Sequence, residues 1–471
     1  MTPMSTVLLI NTYFATKERY SGCLPAYGLY AISRALLDKG YKVALVEQDM
    51  EEDPIGRIKG LVEDGVIFAG MTVYMGSNIT NAVRLSRMIK EISPKTPVVW
   101  GGPLATSSPE MCFLQAPVDY IAMGMGEESS VLLADKLRET GRADELENVS
   151  SHINGKMIIR DKYFFRGELD DLPYVSLENS PARVYRDRKI PLLSSRGCPR
   201  SCAFCYNGTF AGSKKWYYRS AGSVLDEMGH WSRHFGLNSF YFIDDNLLVD
   251  PGRAQAILEG AMSRGYSIEA VRGHIGDYSG DLLEIIARSV DKLSFSIESA
   301  SPRIQGLINK SINMEKARRL FGYFTGQGVE TLTTNFMFGF PSETDEDISL
   351  NIQAAVELRA LSRNLRIVPY IYTPQPGDTL MRSFPEYLAK INFTLDNLST
   401  SDFAPNRTKY ISHELRPWMS GKDIEFYLNL VLVWFYHFDA VTRRTQLIDV
   451  PAIMRSDDRL SRLFAGVREP E

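Results

Sequence analysis

Two stretches of the chain alternate short apolar runs with amphipathic segments, the pattern of a strand–helix repeat. In residues 5 to about 140 the predicted strands are Val7–Ile10, Lys42–Glu47, Val66–Met71, Pro97–Trp100 and Tyr120–Met123. The predicted helices of this stretch are Leu24–Lys39, Ile55–Asp64, Ile79–Ile92 and Glu127–Thr140. Strands that are short and continuously apolar are buried on both faces, so we expect an α/β domain with a doubly wound parallel sheet. Ligands of such sheets bind beyond the carboxyl ends of the strands.

A second repeat of the same kind begins at Ile190. Its predicted strands are Ile190–Ser194, Ser239–Ile243, Ile268–Val271, Lys292–Ile297, Glu330–Phe338 and Asn364–Ile371. A helical segment separates each strand from the next. Six parallel strand–helix units are suited to a partial (β/α)6 barrel that is open on one side.

The remaining sequence does not show this alternation of strands and helices. Residues 146–189 are polar, with hairpin-like pieces around His152–Arg166, and we interpret them as a connector. Residues 386–471 are rich in helical and aromatic signals, and Phe426–Phe438 is apolar all round, as in a helix packed between layers. We therefore predict four parts: a domain at 1–145, a connector at 146–189, the barrel at 190–385 and a helical, substrate-shaping region at 386–471.

Composition narrows the class of protein. Of the 471 residues, 44% are hydrophobic and 23% are charged, as in soluble globular proteins. The net charge of −4 gives no indication of a nucleic-acid or anionic-membrane partner. The amino-terminal apolar run Val7–Ile10 is much shorter than a signal peptide or a membrane span of about 20 residues. We expect a cytoplasmic protein with no membrane or nucleic-acid partner.

Three of the five cysteines are bunched in the loop SSRGCPRSCAFCYN, which directly follows a predicted strand. Cys198, Cys202 and Cys205 have the spacing C-x3-C-x2-C. Three thiolates can bind three irons of a cubane cluster and leave the fourth iron without a protein ligand. An open iron of this kind can bind the amino and carboxylate groups of S-adenosylmethionine (SAM) and deliver an electron to it.

A zinc site and buried structural cysteines are the alternatives for this loop. Zinc usually takes a fourth Cys or His ligand at a characteristic spacing. The nearest later histidines are His230 and His234, and no second C-x2-C follows. Cys23 and Cys112 stand alone and are interpreted as small buried residues. The spacing and its position after a strand favour the iron–sulfur cluster.

The cysteine loop resembles the signature of the radical SAM superfamily. That resemblance implies a [4Fe–4S] cluster and SAM as cofactors and a 5′-deoxyadenosyl radical as the product of cleavage. Four later motifs also resemble strand ends of that family: FIDDN (Phe242–Asn246), SIESA, NFMFGFPSET (Asn335–Thr344) and PYIYTPQPGDT (Pro369–Thr379). The residues that the resemblance implies for SAM binding are Phe204, Tyr206, Asp244, Asp245, Arg272, Glu298 and Gly339.

These residues carry different expectations. Phe204 would lie against the adenine, and Glu298 would reach the ribose hydroxyls or the methionine end. FIDDN stands where many family members have Gly-Gly-Glu, so Asp244 or Asp245 would bond the methionine amino group, although a turn and helix cap would also explain two acids there. Arg272 would meet a carboxylate of SAM or substrate, or form a salt bridge at the barrel rim.

The first domain resembles the cobalamin-binding domain that precedes the radical domain in one large branch of the superfamily. The matching segments are LPAYGLYAISRALLDKGYKV, TVYMGSN, VVWGGPLAT and VDYIAMGMGEES. Glycine pairs after strands allow a ligand to approach the backbone closely. The residues implied for cobalamin binding are Thr72, Tyr74, Gly76, Gly101, Gly102, Pro103, Gly124, Gly126 and Glu127.

One departure concerns the cobalt ligand. Many cobalamin domains carry Asp-x-His-x-x-Gly, whose histidine binds cobalt, but this sequence has no histidine before His152. Tyr74 or Met75 would then be the residue that covers the lower face of the corrin, with packing as the alternative role. A domain of this fold could also lack cobalamin and only shape the active site, because a fold does not establish a ligand.

The resemblance implies a class B radical SAM methyltransferase. Such an enzyme methylates an unactivated carbon of a small-molecule, natural-product substrate through a deoxyadenosyl radical and methylcobalamin, with flavodoxin or ferredoxin as electron donor. The alternative is a radical reaction without methyl transfer, such as dehydration, ring rearrangement or oxidation, with or without cobalamin. Candidates for shaping the substrate pocket are Arg416, Trp418, Tyr427, Trp434 and Tyr436.

Overall fold

The fold is described from a computed structural model of the chain. The described residues are 6–12, 26–47, 51–161, 167–179, 181, 184, 187–207, 215–278, 280–362, 364–400, 413–439 and 449–468. Cys23 and the start of the predicted helix Leu24–Lys39 lie outside them. The described residues form two compact units, one of residues 6–191 with 393–400 and the other of residues 192–392 with 413–468.

Fifteen strands are found in the described residues. They are β1 (Thr6–Asn11), β2 (Lys42–Glu47), β3 (Ala69–Thr72), β4 (Val98–Gly101), β5 (Tyr120–Ala122), β6 (Val149–Ile153), β7 (Lys156–Ile158), β8 (Ile190–Leu192), β9 (Ser195–Gly197), β10 (Trp216–Tyr218), β11 (Ser239–Phe242), β12 (Ser267–Gly273), β13 (Val290–Glu298), β14 (Thr331–Phe338) and β15 (Leu365–Ile371).

The α-helices of the described residues alternate with these strands and then dominate the C-terminal region. They are α1 (Tyr27–Asp38), α2 (Pro54–Asp64), α3 (Asn78–Ile92), α4 (Pro103–Ser107), α5 (Pro109–Gln115), α6 (Gly126–Thr140), α7 (Ala221–Phe235), α8 (Pro251–Ser263), α9 (Leu282–Ser289), α10 (Pro302–Leu307), α11 (Met314–Gly326), α12 (Asp345–Leu361), α13 (Pro385–Leu388), α14 (Leu395–Ser399), α15 (Gly421–Phe438), α16 (Val450–Ser456) and α17 (Asp458–Leu463).

The first unit is built on a seven-stranded sheet with the order β2-β1-β3-β4-β5-β6-β7. Strands β1 to β5 pair in parallel, and the β6–β7 hairpin adds an antiparallel edge. Every residue of β1 from Val7 to Ile10 is buried, as expected of a strand covered on both faces. This order is the doubly wound one, whose ligand crevice opens at the carboxyl ends of β1 and β3.

The second unit is built on a six-stranded sheet with the order β15-β14-β13-β12-β11-β8. Strands β11 to β15 pair in parallel, and β8 and β15 are the edges within the described residues. This is the open arrangement predicted for a partial barrel. Helix α15 packs along the edge strand β15, where the indole N–H of Trp434 donates to the Ile367 carbonyl over 3.0 Å.

The two faces of this sheet differ in chemistry. On β13 and β14 the fully buried side chains are large and apolar, and they include Phe295, Ile297 and Phe336. The alternate positions on these two strands are half-buried and include small polar residues such as Ser296 and Asn335, which contact each other. A closed barrel fills its interior with bulky branched side chains. The small polar lining of this sheet leaves its inner face able to accept a ligand.

No helix in the described part of the chain is both long and apolar enough to cross a membrane. Helix α15 has 18 residues, but its first turn carries Lys422 and Asp423. Its start is fixed by a capping box, in which the side chains of Ser420 and Asp423 each bond the other residue's backbone N–H.

Candidate functional site

The cysteine loop leaves β9 and is held by two other strand-end loops. The amide of Ala203 donates to the Ile308 carbonyl over 2.8 Å, and the Ala203 carbonyl accepts from the amides of Thr379 and Leu380 at 3.0 Å. The side-chain amide of Asn309 donates to the Ser201 carbonyl over 2.9 Å. These bonds fix the loop between the segments that follow β13 and β15.

The three thiols of this loop are half-buried and lie close enough for their charges to interact. Burial raises the pKa of the Cys205 thiol to about 12, and negative charge on Cys202 or Cys198 would raise the pKa of Cys205 further. Within the described residues, no three His, Cys, Asp or Glu side chains converge on a single-ion site. A cubane cluster binds each thiolate to a different iron, so a donor set of three thiols on one loop fits a [4Fe–4S] cluster.

Phe204 and Tyr206 flank the third cysteine and have different surroundings. Phe204 is half-buried and packs against a hydrophobic cluster that contains Ile308, Phe340 and Tyr372. Tyr206 is exposed, and its hydroxyl donates to Asp245 at 3.4 Å. The structure therefore brings Phe204 next to the strand-end segments after β14 and β15, and Tyr206 next to the segment after β11.

The two neighbouring acids after β11 have different roles in the structure. Asp244 is buried and accepts from the amide and hydroxyl of Ser194, at 3.0 and 2.7 Å, and from the Ser195 hydroxyl at 2.5 Å. Burial raises the pKa of the Asp244 carboxyl, and these hydrogen bonds oppose the rise. Asp244 thus anchors the backbone just ahead of the cysteine loop, whereas Asp245 is solvent-accessible and faces Tyr206.

Arg272 is an exposed side chain near the end of β12. Desolvation by the surrounding protein raises the pKa of Asp245, and hydrogen bonds from Asn207 and Tyr206, together with the positive charge of Arg272, oppose the rise. Glu298 lies at the end of β13, where the pairing with β14 is irregular and its φ of 68° is in the left-handed region. The backbone of a non-glycine residue is strained in this region, and such strain is common at functional sites.

Lys310 is a site residue that the sequence analysis missed. Its ammonium bonds Glu298 over 3.0 Å, and both side chains are only 7% exposed. Lys310 also lines a cavity of about 520 Å³ together with Cys202, Arg200 and His274. It follows the short helix α10 with no motif around it, so the sequence signal is only a lysine twelve positions after a strand-end acid.

Gly339 directly follows β14 and has a φ of 78°. A Cβ at this position would stand 2.6 Å from the Met419 methyl carbon and 3.2 Å from a methyl of Ile371. The amide of Gly339 donates to Glu343 over 2.7 Å, and its carbonyl accepts from the indole N–H of Trp418 over 3.1 Å. Only glycine combines this conformation with these close neighbours.

In the first unit the residues predicted for cobalamin lie on three loops at the carboxyl ends of β3, β4 and β5. The Val73 amide donates to the Gly101 carbonyl over 2.8 Å, and the Gly124 amide donates to the Thr106 hydroxyl over 3.1 Å. Gly102 has a φ of 89°, and a Cβ on it would stand 2.7 Å from the Thr72 hydroxyl. The three loops are therefore tied into one edge, and Pro103 begins α4 from it.

Other residues of that edge have contacts of their own. Tyr74 is 48% exposed, and Gly76, with a φ of 101°, donates its amide to the Leu398 carbonyl on α14 over 3.1 Å. A Cβ on Gly126 would stand 2.9 Å from Ile32 of α1, so packing of α1 against α6 explains that glycine. Glu127 lies in the first turn of α6. An exposed aromatic ring beside a glycine-rich edge fits a flat macrocycle such as corrin.

Comparison with known proteins agrees with both halves of this description. The family model described as the Radical SAM superfamily matches residues 192–353, and the model described as B12 binding domain matches residues 16–134. An uncharacterised methyltransferase of Pyrococcus horikoshii is 26% identical, over 78% of this chain and 81% of its own length. Cytidylyl-2-hydroxyethylphosphonate methyltransferase of Streptomyces wedmorensis is 24% identical, over 71% and 73% of the two chains.

Among solved structures, the radical SAM methyltransferase TsrM of Kitasatospora setae, with cobalamin and a [4Fe–4S] cluster bound, superposes with a TM-score of 0.68. The superposition covers 83% of this chain and 79% of TsrM at 16% identity, and it shows a shared fold. The two family models identify the domains that this fold contains. The chain therefore combines a Radical SAM superfamily domain with an N-terminal B12 binding domain, and the cofactors of these two domains are a [4Fe–4S] cluster with SAM and cobalamin.

Proposed function

We propose that this radical SAM enzyme methylates an unactivated carbon of a small-molecule natural product. The observation that carries the proposal is the presence of both cofactor domains in one chain, aligned over more than two thirds of its length with proteins named as methyltransferases. When bound, the cluster supplies the electron that cleaves SAM, and cobalamin supplies the methyl group. The chain has to bind and orient these partners and to exclude water.

The described residues divide this work in the following way. Cys198, Cys202 and Cys205 would hold the cluster. Asp245, the accessible acid of the pair after β11, would accept from the methionine amino group, because the Asp244 carboxylate already accepts three hydrogen bonds. Phe204 and Gly339 would contact the adenine of SAM. Glu298, oriented by Lys310, would contact the ribose or the methionine end. Tyr206 and Arg272 would contact SAM at the barrel rim.

Cobalamin would lie against the edge formed by the loops after β3, β4 and β5. Gly101, Gly102 and Gly124 would admit the ligand to the backbone, with Thr72, Gly76, Pro103, Gly126 and Glu127 around it. Tyr74 would cover the lower face of the corrin, because its ring is half exposed and the sequence has no histidine before His152. The substrate carbon would be presented from the polar inner face of the barrel sheet.

The proposal extends to partners. Cleavage of SAM needs an electron from a low-potential carrier, for which flavodoxin or ferredoxin is the appropriate class of protein. The net charge of −4 gives no reason to add a nucleic acid. Unpaired cysteines suit a reducing compartment, so we place the reaction in the cytoplasm.

Reconstitution tests the proposal directly. The enzyme would be loaded anaerobically with iron, sulfide and cobalamin, then given a strong reductant, trideuteromethyl SAM and a small-molecule extract of its source cells. Methyl transfer predicts both 5′-deoxyadenosine and S-adenosylhomocysteine, together with a product that carries the trideuteromethyl mass label. The Cys202→Ala variant should form no 5′-deoxyadenosine. Formation of 5′-deoxyadenosine alone, with no S-adenosylhomocysteine, would refute methyl transfer and identify a non-methylating radical reaction.

A further inference from the structure

The peptide groups of Gly339 are held by side chains rather than by neighbouring strands. Its amide donates to Glu343 Oε2 over 2.7 Å, and its carbonyl accepts from Trp418 Nε1 over 3.1 Å. The first partner lies four residues further along the chain, and the second comes from the C-terminal region. The turn that follows β14 therefore depends on a residue 79 positions further along the chain.

A second C-terminal side chain reaches the same turn through Glu343. The hydroxyl of Tyr427, on α15, donates to Glu343 Oε2 over 2.9 Å, the same oxygen that accepts from the Gly339 amide. Tyr427 is 5% exposed, so this bond is shielded from water. The other oxygen, Glu343 Oε1, is buried and has no hydrogen-bond partner among the residues that the structure describes. The carboxyl group is thus held on one side only, by one backbone amide and one phenol.

A third C-terminal side chain binds the end of the neighbouring strand. Arg416 is 3% exposed, and its Nε donates to the Tyr372 carbonyl, one residue beyond β15, over 2.8 Å. Its Nη2 donates to the Thr373 hydroxyl. No carboxylate among the described residues forms an ion pair with it, although burying an unpaired cation is costly. We therefore explain the buried Arg416 by the backbone that its guanidinium holds at the end of β15.

These three residues, Arg416, Trp418 and Tyr427, act on one small part of the barrel rim, and we call them the C-terminal clamp. Beyond β14 and β15, Phe340 and Tyr372 stack on each other with ring centroids 5.1 Å apart. Phe204 packs against the cluster that contains both rings. The clamp therefore fixes the two strand ends on which the aromatic residue beside the third cysteine rests.

We infer that the C-terminal clamp positions the adenine end of SAM by fixing the turn at Gly339 and the end of β15. The inference rests on the proposed SAM roles of Phe204 and Gly339. It assigns the C-terminal region a role in SAM binding in addition to the shaping of a substrate pocket. Because the clamp residues touch the strand ends and not the cluster loop, they are positioning residues.

The test uses the reconstituted full-length enzyme with Tyr427→Phe, which keeps the ring, and Trp418→Phe, which replaces the indole with a smaller aromatic ring. Each variant removes one hydrogen-bond donor. Two quantities are measured without a substrate. The first is the Kd for SAM, from the change it causes in the electron paramagnetic resonance spectrum of the reduced cluster. The second is the hydrogen-exchange rate of the Gly339 amide before SAM is added. Tyr387→Phe is the matched control, because Tyr387 packs in the same aromatic cluster.

Each clamp variant should raise the Kd for SAM about five-fold, the change expected for one net hydrogen bond. In Tyr427→Phe the Gly339 amide should also exchange about five-fold faster. Values equal to those of Tyr387→Phe, in variants whose melting temperature matches the wild type, would overturn the inference. A wild-type enzyme that binds SAM but never yields S-adenosylhomocysteine would instead contradict the proposed methyl transfer and leave the clamp standing.

Discussion

The buried pair of Lys310 and Glu298 gives the sharpest prediction about the barrel. Both side chains are 7% exposed and their charged atoms are 3.0 Å apart, so Lys310→Met leaves a carboxylate buried without its cation. Loss of one partner of a buried pair costs about 3–5 kcal/mol, whereas removal of both is close to neutral. We therefore expect Lys310→Met to lose about 3 kcal/mol and the double variant with Glu298→Gln to recover most of that loss.

Urea denaturation measures this difference. With a slope of about 3 kcal/mol per molar urea, the single variant should shift the unfolding midpoint down by about 1 M. Lys292→Met is the matched control, because Lys292 lies on β13, the strand of Glu298, and pairs with Glu269 at 2.8 Å but is 42% exposed. Exposed pairs contribute less than about 1 kcal/mol. If Lys310→Met lowers the midpoint no more than Lys292→Met, the reasoning from burial is refuted.

Three further predictions test individual site residues. Gly102→Ala should weaken cobalamin retention and destabilise the first unit by about 1–2 kcal/mol, because the φ of Gly102 is 89° and an added Cβ would contact Thr72. The control is Gly28→Ala on the exposed face of α1, which should stabilise the protein slightly in the same thermal melts. Asp245→Asn should raise the KM for SAM with an unchanged melting temperature, and Asp244→Asn should lower the melting temperature; the reverse pattern would exchange their roles. Burial raises the pKa of Glu343 to about 8, so between about pH 4.5 and 8 the folded protein binds one proton more than the unfolded protein and loses stability as the pH rises. Glu343→Gln should abolish this pH dependence of stability in urea titrations.

The sequence was sufficient for the fold wherever apolar runs are long. Strands such as β13 and β14 were predicted within one or two residues, because a buried strand leaves a continuous or alternating apolar pattern. The β9–β10 hairpin was not predicted, since Ser195–Gly197 and Trp216–Tyr218 are three residues each and pair across the whole cysteine loop. The start of β3 at Ala69 was placed three residues early, because Val66 is as buried as the strand itself.

Some residues of the candidate site could likewise be proposed from the sequence, and others could not. The cysteines and the glycines could be proposed from the sequence because their chemistry depends on local spacing and on backbone conformation. The choice between Asp244 and Asp245 could not be made, because the two acids are adjacent and only the structure shows that Ser194 and Ser195 bond the first. Lys310 and the C-terminal clamp were missed for a related reason: contacts between distant segments leave no periodic signal.

The polar inner face of the barrel sheet explains why many of the stabilising interactions of this unit lie elsewhere. Residues such as Ser296 and Asn335 bury little apolar surface, so the inner face contributes little to stability and can vary with the substrate. Stability must then come from the outer layer, where Phe295 and Phe336 are fully buried, and from bonds at the strand ends. The buried pair at Glu298, the serine contacts of Asp244 and the clamp on Gly339 all lie at those ends. They hold the proposed SAM-binding residues in place and leave the inner face of the sheet free for a ligand.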